Sequence, residues 1–226
     1  MDSDKFFDRQ LVTTEDGSSS IFLAQLNEHY HSTHGAIQES QHVFMKMGWV
    51  SAILGKSEIS ILEIGFGTGL NAWLVLQETK QNDSSPKVYY TTLEAFPIDN
   101  ELASKLNYAS IQETSTFMLL HSAPWNEPTL IHDRYTLDKR HIEMEAFVPA
   151  RAYNLIFFDA FAPNIQPELW TKEVFDKMYS SLDTGGVLVT YCAKGQVRRN
   201  MIAAGFTVER LPGPPGKREM LRATKH

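Results

Sequence analysis

Three features of this 226-residue chain predict an α/β fold built on a mostly parallel, doubly wound sheet. From Ile59 onward, β-branched and apolar runs alternate with helical stretches, the grammar of a sheet whose strands are joined by crossover helices. A glycine-rich turn, Gly65-Phe66-Gly67-Thr68-Gly69, sits between the first such run and the first such helix. The chain then closes on two strands joined by Pro212-Gly213-Pro214-Pro215-Gly216, and strands joined so briefly must be antiparallel neighbours.

The elements follow in order. Residues 1–58 read as an N-terminal extension packing on the core: a turn at 15–20, a short strand at Ile21–Leu23, and apolar residues at helical spacing over 36–54. Residues 59–226 carry the main domain. Ile59–Ile64 is a strand and Leu70–Gln77 a helix; Lys87–Leu93 is the second strand. Residues 98–123 predict a helix and then a short strand at Phe117–Leu120. Residues 129–145 predict a hairpin before Tyr153–Phe158, an apolar run suited to a strand buried on both faces. Helices are expected over Glu168–Leu182 and Gln196–Ala204, with strands at Val187–Tyr191, Phe206–Leu211 and Arg218–Thr224.

Composition narrows the function classes. Hydrophobic residues make up 42% and charged residues 21%, an ordinary globular balance. No apolar run is long enough to span a membrane, and the polar N-terminus, MDSDKFFDRQ, lacks the core of a secretory signal. A single cysteine, Cys192, excludes an internal disulfide or a cysteine-based zinc site, and it reads as a packed core residue. The expectation is a cytoplasmic protein with no membrane partner. Net charge is -6, but residues 191–226 carry eight Lys/Arg against two Glu. That asymmetry suits either an anionic partner or a merely solvated surface.

Glu63-Ile64-Gly65-Phe66-Gly67-Thr68-Gly69 lies at a strand-to-helix turn, where glycines bring backbone N–H groups close to a ligand. A dinucleotide fingerprint would need glycine where Leu70 stands, and a phosphate loop would need a following lysine. The spacing is that of the first motif of class I S-adenosylmethionine (AdoMet) methyltransferases; the alternative is a glycine turn without a ligand. Glu94 ends the second strand, where an acidic side chain accepts hydrogen bonds from ribose hydroxyls. A surface glutamate is the plainer reading of that position. Asp159 ends the buried strand 153–158, with Phe161 and Pro163 giving an apolar wall beside its carboxylate. That pairing suits a flat base next to a cationic or hydrogen-bond-donating group, unless Asp159 is only a turn residue. His29, His31, His34 and His42 cluster in sequence, but methyl transfer needs no metal and scattered surface histidines are the expectation.

Beyond these features the sequence resembles the methyltransferase domain of the bacterial tRNA 5-methylaminomethyl-2-thiouridine biosynthesis enzymes (MnmC type). The likeness rests on Glu39-Ser40 with Val43-Phe44, Gly65-Phe66-Gly67-Thr68-Gly69-Leu70-Asn71, and Glu94 with Phe96-Pro97. It continues through Asp159-Ala160-Phe161-Ala162-Pro163, Pro167-Glu168-Leu169-Trp170, Val197-Arg198-Arg199 and Lys217-Arg218-Glu219-Met220. The resemblance implies a Rossmann-like class I fold, with a seven-stranded, mostly parallel sheet closed by the C-terminal hairpin. It implies AdoMet-dependent methylation of the aminomethyl nitrogen on the tRNA wobble uridine, with separate enzymes supplying that group. No metal is expected, and no FAD, since well-known members carry their FAD-dependent oxidase as a further domain. By match, Asp159 is the catalytic acidic residue. Glu63, Gly65, Phe66, Gly67, Thr68, Gly69, Asn71 and Glu94 hold AdoMet with it. From the residues themselves, Phe161 and Pro163 are expected to meet the base, and, if strand order brings them together, Arg198, Arg199, Lys217 and Arg218 are expected to meet tRNA phosphates along one sheet edge. The adenine contact is open, with Glu143 and Glu145 as candidates. Two other readings are a methyltransferase of small-molecule or protein amines, and a non-catalytic AdoMet-fold subunit of a tRNA-modifying complex.

Overall fold

A computed structural model of the protein describes residues 8–226. Residues 1–7, which begin both the polar N-terminus and the extension expected over 1–58, lie outside the described residues. Three short strands come first: β1 (Arg9–Thr13), β2 (Ser19–Leu23) and β3 (Glu28–His29), paired antiparallel into a small sheet. α1 (Ala36–Ser40) then runs into a π-helical stretch, Gln41–Trp49, and a last turn, α2 (Val50–Ala52). Val43, Phe44 and Trp49 bury the inner side of this helix, with the Phe44 ring 5.2 Å from Phe157.

The main domain runs β4 (Glu58–Ile64), α3 (Leu70–Gln81), β5 (Lys87–Glu94), α4 (Asn100–Ala103), α5 (Thr114–Ser122), β6 (Thr129–His132) and β7 (Tyr135–His141). It continues with β8 (Tyr153–Phe158), α6 (Lys172–Ser181), β9 (Leu182–Thr190), α7 (Gly195–Ala203), β10 (Thr207–Pro212) and β11 (Glu219–Thr224). The sheet has eight strands in the order β10-β11-β9-β8-β4-β5-β7-β6. Five of them, β7-β5-β4-β8-β9, are parallel, and β11 slots antiparallel between β9 and β10. The seven expected strands are thus joined by an eighth, because both arms of the 129–145 hairpin enter the sheet and β6 becomes its far edge.

Alternation along each strand divides the core. Ile61, Leu155, Phe157 and Val189 face the side covered by the π-helical stretch and α3, whereas Leu62, Ile156, Phe158 and Leu188 pack with α6 and α7. Two elements depart from expectation. Phe117–Leu120 is helical, not a strand: Phe117, Leu120 and His121 bury one face of α5. A four-residue apolar run has no readable period, and its length decides nothing. Residues 168–182 do not form one helix either. A 3-10 turn at Pro167–Trp170 is followed by Thr171, whose hydroxyl caps α6 by accepting from the Val174 N–H.

The small N-terminal sheet lies over the glycine turn. The Tyr108 hydroxyl donates to the Ser19 carbonyl (2.7 Å), and the Ser19 N–H donates to Asn107 Oδ1 (2.7 Å). From β1, Arg9 donates to the carbonyls of Phe96 (2.5 Å) and Pro97 (2.9 Å), just beyond the end of β5. Among the described residues no helix is long and apolar enough to cross a membrane.

Candidate functional site

β4 delivers the glycine turn to the carboxyl end of the sheet, between β5 and β8. The Gly65 and Phe66 N–H groups donate to the Leu93 carbonyl, and the Asp159 N–H donates to the Ile64 carbonyl, so the three strand ends are tied together. Gly65 has φ +93, and a Cβ there would stand 2.9 Å from the Asp159 carbonyl oxygen. Gly67 has φ +50, with the Tyr30 ring 3.1 Å from where its Cβ would be. Both positions have a left-handed backbone; a Cβ at Gly65 would meet the Asp159 backbone and one at Gly67 would press on the Tyr30 ring, which favours glycine at each.

Around this turn opens a cavity of ≈ 650 Å³. That lies within the range of small-molecule sites, about 300–1,000 Å³. Gly65, Phe66, Gly67, Thr68, Asn71, Glu94, Asp159, Phe161 and Lys217 all reach its wall. So do Glu143 and Glu145, on the loop after β7. Glu63 and Gly69 are not on the wall. Glu63 points into the sheet, where the Thr92 hydroxyl donates to its Oε2 (2.7 Å) and Oε1 has no partner among the described residues. Burial pushes its carboxyl up to about 8. Gly69 faces the His121 and Phe66 rings instead. Pro163 lies just beyond the wall, while Ala162, Gln166 and Leu169 line it.

Glu94 and Asp159 flank the turn. Glu94 accepts from the Gly67 N–H (2.9 Å) and the Phe96 N–H (2.9 Å), one on each oxygen. Asp159 accepts from the Asn71 amide (2.8 Å). Burial, with Glu39 and Glu63 close by, holds its carboxyl well above the usual range, against the pull of Asn71 and Lys217. Phe161 stands edge-on to Tyr30 (5.2 Å), and its carbonyl accepts from Trp170 Nε1 (2.8 Å). The Asn200 side chain of α7 donates in turn to the Trp170 carbonyl (2.7 Å), so α7 fixes the loop that presents Phe161.

The four cations expected along one edge are divided. Lys217 turns inward, donating to Glu39 Oε1 (2.5 Å) over the Tyr191 ring (3.9 Å). Arg198, Arg199 and Arg218 do not line the cavity. Arg199 is exposed on α7 and donates to Gln196. The hairpin turn carries Lys217 back over the open end of the sheet, which sequence spacing does not reveal. The four clustered histidines also separate. His31 Nε2 bonds Thr68 Oγ1 (2.7 Å), His34 meets Glu15, His42 meets the Pro212 carbonyl, and His29 packs on Phe22. Among the described residues no group of three or more His, Cys, Asp or Glu is placed to hold a metal. Cys192 is buried.

Sequence reasoning missed the cap. Tyr30, His31 and Glu39 all line the cavity from the N-terminal segment. Burial pushes the Tyr30 hydroxyl up to about 12 and the His31 ring down to about 4, so neither carries charge at neutral pH. His121 of α5, also lowered by burial to about 4, donates to the Thr68 carbonyl from the far side (3.2 Å). Glu39 left a trace in the sequence as part of the Glu39-Ser40 motif, and His31 as one of the four clustered histidines.

The cradle fits AdoMet. The turn leaves space where any side chain would intrude. Asn71 Oδ1, buried beside the cavity, has no partner among the described residues and suits an ammonium donor. Glu94 keeps free lone pairs for hydroxyl donors.

Comparison with known proteins agrees with this. The tRNA 5-methylaminomethyl-2-thiouridine biosynthesis bifunctional protein MnmC of Ralstonia nicotianae is 30% identical over 212 residues, covering 88% of this chain and 32% of its own. The protein of the same name from Methylobacillus flagellatus is 28% identical over 214 residues, covering 88% of this chain and 33% of its own. The chain therefore spans about a third of the length of these curated relatives. The crystal structure of MNMC2 from Aquifex aeolicus superposes with a TM-score of 0.80 at 24% identity, covering 98% of this chain and 72% of that one, and so shares the fold. Residues 114–226, from α5 through Asp159 to the C-terminus, match the profile of a family described as S-adenosyl-L-methionine-dependent methyltransferase, and this chain belongs to that family.

Proposed function

We propose that this chain methylates the exocyclic amine of 5-aminomethyl-(2-thio)uridine at the tRNA wobble position. The observation that carries the reading is one cavity shared by the glycine cradle, Glu94, Asp159 and Phe161. The relatives named for 5-methylaminomethyl-2-thiouridine biosynthesis support the choice of substrate.

AdoMet, when bound, supplies the electrophilic sulfonium methyl. Gly65, Phe66, Gly67, Thr68, Asn71 and Glu94 hold it, with Glu63 and Gly69 supporting the turn from behind. Glu143 and Glu145 flank the part of the cavity left for the adenine. Asp159 receives the substrate amine, orients it, and accepts a proton from it. A free alkylamine has a pKa of about 10.4 and is mostly protonated at neutral pH, so the proton must leave before the nitrogen can attack. Phe161, braced by Tyr30 and Trp170, offers a ring face to the uracil; stacking of that kind contributes about 1–3 kcal/mol per base and tolerates any sequence. Pro163 stiffens the loop behind it. Arg198, Arg199 and Arg218 meet tRNA phosphates, which position the substrate without reading it. Separate enzymes supply the aminomethyl group, and a tRNA substrate places the reaction in the cytoplasm.

The deciding experiment is mass spectrometry of wobble nucleosides after incubation with AdoMet and tRNA bearing 5-aminomethyluridine. A gain of one methyl on that nucleoside is expected. Methylation of free amines with tRNA untouched would replace this reading with a small-amine methyltransferase. AdoMet binding with no turnover on any undermodified tRNA would leave a non-catalytic subunit.

A further inference from the structure

Asp159 shares its cavity wall with two charged side chains brought in from opposite ends of the chain. Lys217 lies over the Tyr191 ring (3.9 Å), whose hydroxyl donates to the carbonyl of Ala160 (2.9 Å), next to Asp159. Glu39 comes from α1 and Lys217 from the turn between β10 and β11, 178 positions apart. Lys217 Nζ donates to Glu39 Oε1, and the Ser32 N–H donates to Glu39 Oε2 (2.9 Å). The Glu39 side chain is only 8% exposed and that of Lys217 32%. A charged donor thus meets one Glu39 oxygen and a backbone donor the other, a charge-assisted pair set in the cavity wall. Burying such a pair costs desolvation that its own attraction barely offsets, so stability alone does not account for it.

We infer that Glu39 and Lys217 are positioning residues for Asp159: the pair fixes a negative charge beside it and so sets how readily Asp159 takes a proton from a bound alkylammonium. The inference rests on the amine-acceptor reading above. In the step concerned, the substrate R–CH2–NH3+ gives one N–H proton to an Asp159 carboxylate oxygen. The N–H bonding pair becomes the nitrogen lone pair, leaving R–CH2–NH2 and a neutral carboxyl that later returns its proton to water. Between an ordinary aspartate (about 3.9) and an alkylamine (about 10.4) this transfer is uphill by six to seven powers of ten. Each tenfold gain in the proton affinity of Asp159 removes one of them.

Asp159 is faced by charged or titratable groups from every element around it. Glu39 comes from α1, Glu63 from β4, Tyr90 from β5 and Lys217 from the hairpin turn, while Tyr191 follows the end of β9. Asn71 of α3 adds its amide. After burial, Glu39 is the largest cause raising the carboxyl, ahead of Glu63, and Lys217 opposes it less strongly. Glu39 therefore outweighs its own counter-ion at Asp159. The pair also explains why the hairpin lysine is turned inward while its neighbour Arg218 stays exposed.

The test reads Asp159 directly, by carbon-13 NMR of labelled aspartate and glutamate carboxyls in the ligand-free protein. Asp159→Asn assigns the signal, and thermal melting checks each variant. Glu39→Gln is expected to move the Asp159 titration to lower pH by about one pH unit, a tenfold change in proton affinity. Lys217→Met is expected to move the Asp159 titration to higher pH, because Lys217 opposes the rise. Lys217→Arg should titrate like the unaltered protein. The double variant Glu39→Gln/Lys217→Met removes both charges of the pair and is the one to use if a single variant does not fold; Asp159 should titrate below the unaltered protein in it. Titrations that do not move, that move the same way in both single variants, or that do not fall in the double variant overturn the inference. Failure of the unaltered protein to methylate 5-aminomethyluridine sinks the substrate reading instead, and leaves the titration result standing.

Discussion

Glu94 and Asp159 occupy equivalent places, at the carboxyl ends of the two strands that flank β4, yet their surroundings differ. Glu94 is met by two backbone N–H groups, from Gly67 and Phe96, both close in the fold and near the turn itself. Asp159 is met by one amide, and burial with Glu39 and Glu63 close by raises its affinity for a proton. On the proposed function, one carboxylate accepts hydrogen bonds and the other takes a proton. The difference teaches that strand position supplies an acid, while the groups returning from elsewhere in the chain decide its chemistry.

The sharpest break on the Glu94 side is Gly67→Val. A β-branched residue at φ +50 against the Tyr30 ring cannot keep the turn, so calorimetry should detect no AdoMet binding. Binding at unaltered affinity would show that the cradle is not the cofactor site. On the other side, Asp159→Asn keeps the shape and the Asn71 neighbour but removes the proton acceptor. Turnover should fall about 100-fold or more while AdoMet affinity is largely kept. Steady-state kinetics beside calorimetry separates the two, and wild-type turnover would reduce Asp159 to a turn residue.

Glu94→Ala should have the opposite profile. Loss of a charged acceptor should weaken AdoMet by about 1.5–3 kcal/mol, and the freed Gly67 N–H should loosen the turn. An equal loss of turnover at saturating AdoMet would erase the contrast between the two acids. The smallest effect is thermodynamic. Glu63 is raised by burial from 4.5 to about 8, so the folded state holds its proton more tightly than the unfolded chain does. Its contribution is full below the unfolded value and is lost as pH rises towards 8. Glu63→Gln should therefore melt above the unaltered protein at pH 8, by about 2–4 °C for each kcal/mol recovered, with the gap closing as the pH falls towards the unfolded value. A gap that widens on acidification would mean Glu63 is held as a carboxylate.

Much of this fold was legible because it is written locally. Three neighbouring parallel strands, β4, β5 and β8, are largely apolar runs that lead to Gly65, Glu94 and Asp159, and the closing hairpin is marked by its Pro/Gly turn. The run at 117–120 misled because four apolar residues fit a strand or a buried helix face equally well, and only packing against Trp73 and Tyr108 chose the helix. The eighth strand was hidden for a similar reason: the hairpin was readable, but not the register that brings β7 beside β5.

By itself, then, the sequence determined the backbone of the site. Glycines that must adopt positive φ, and acids that must fall at strand ends, are consequences of a few consecutive residues, and short-range sterics and strand periodicity suffice to place them. Only the tertiary structure decided what surrounds them. Tyr30, His31 and Glu39 reach the cavity because the N-terminal sheet docks on Asn107, Tyr108 and Phe96, and Lys217 because β11 inserts beside β9. Those contacts join residues scores of positions apart, with no spacing to announce them. The desolvation and charge they impose on Asp159 exist only once the chain has closed around it.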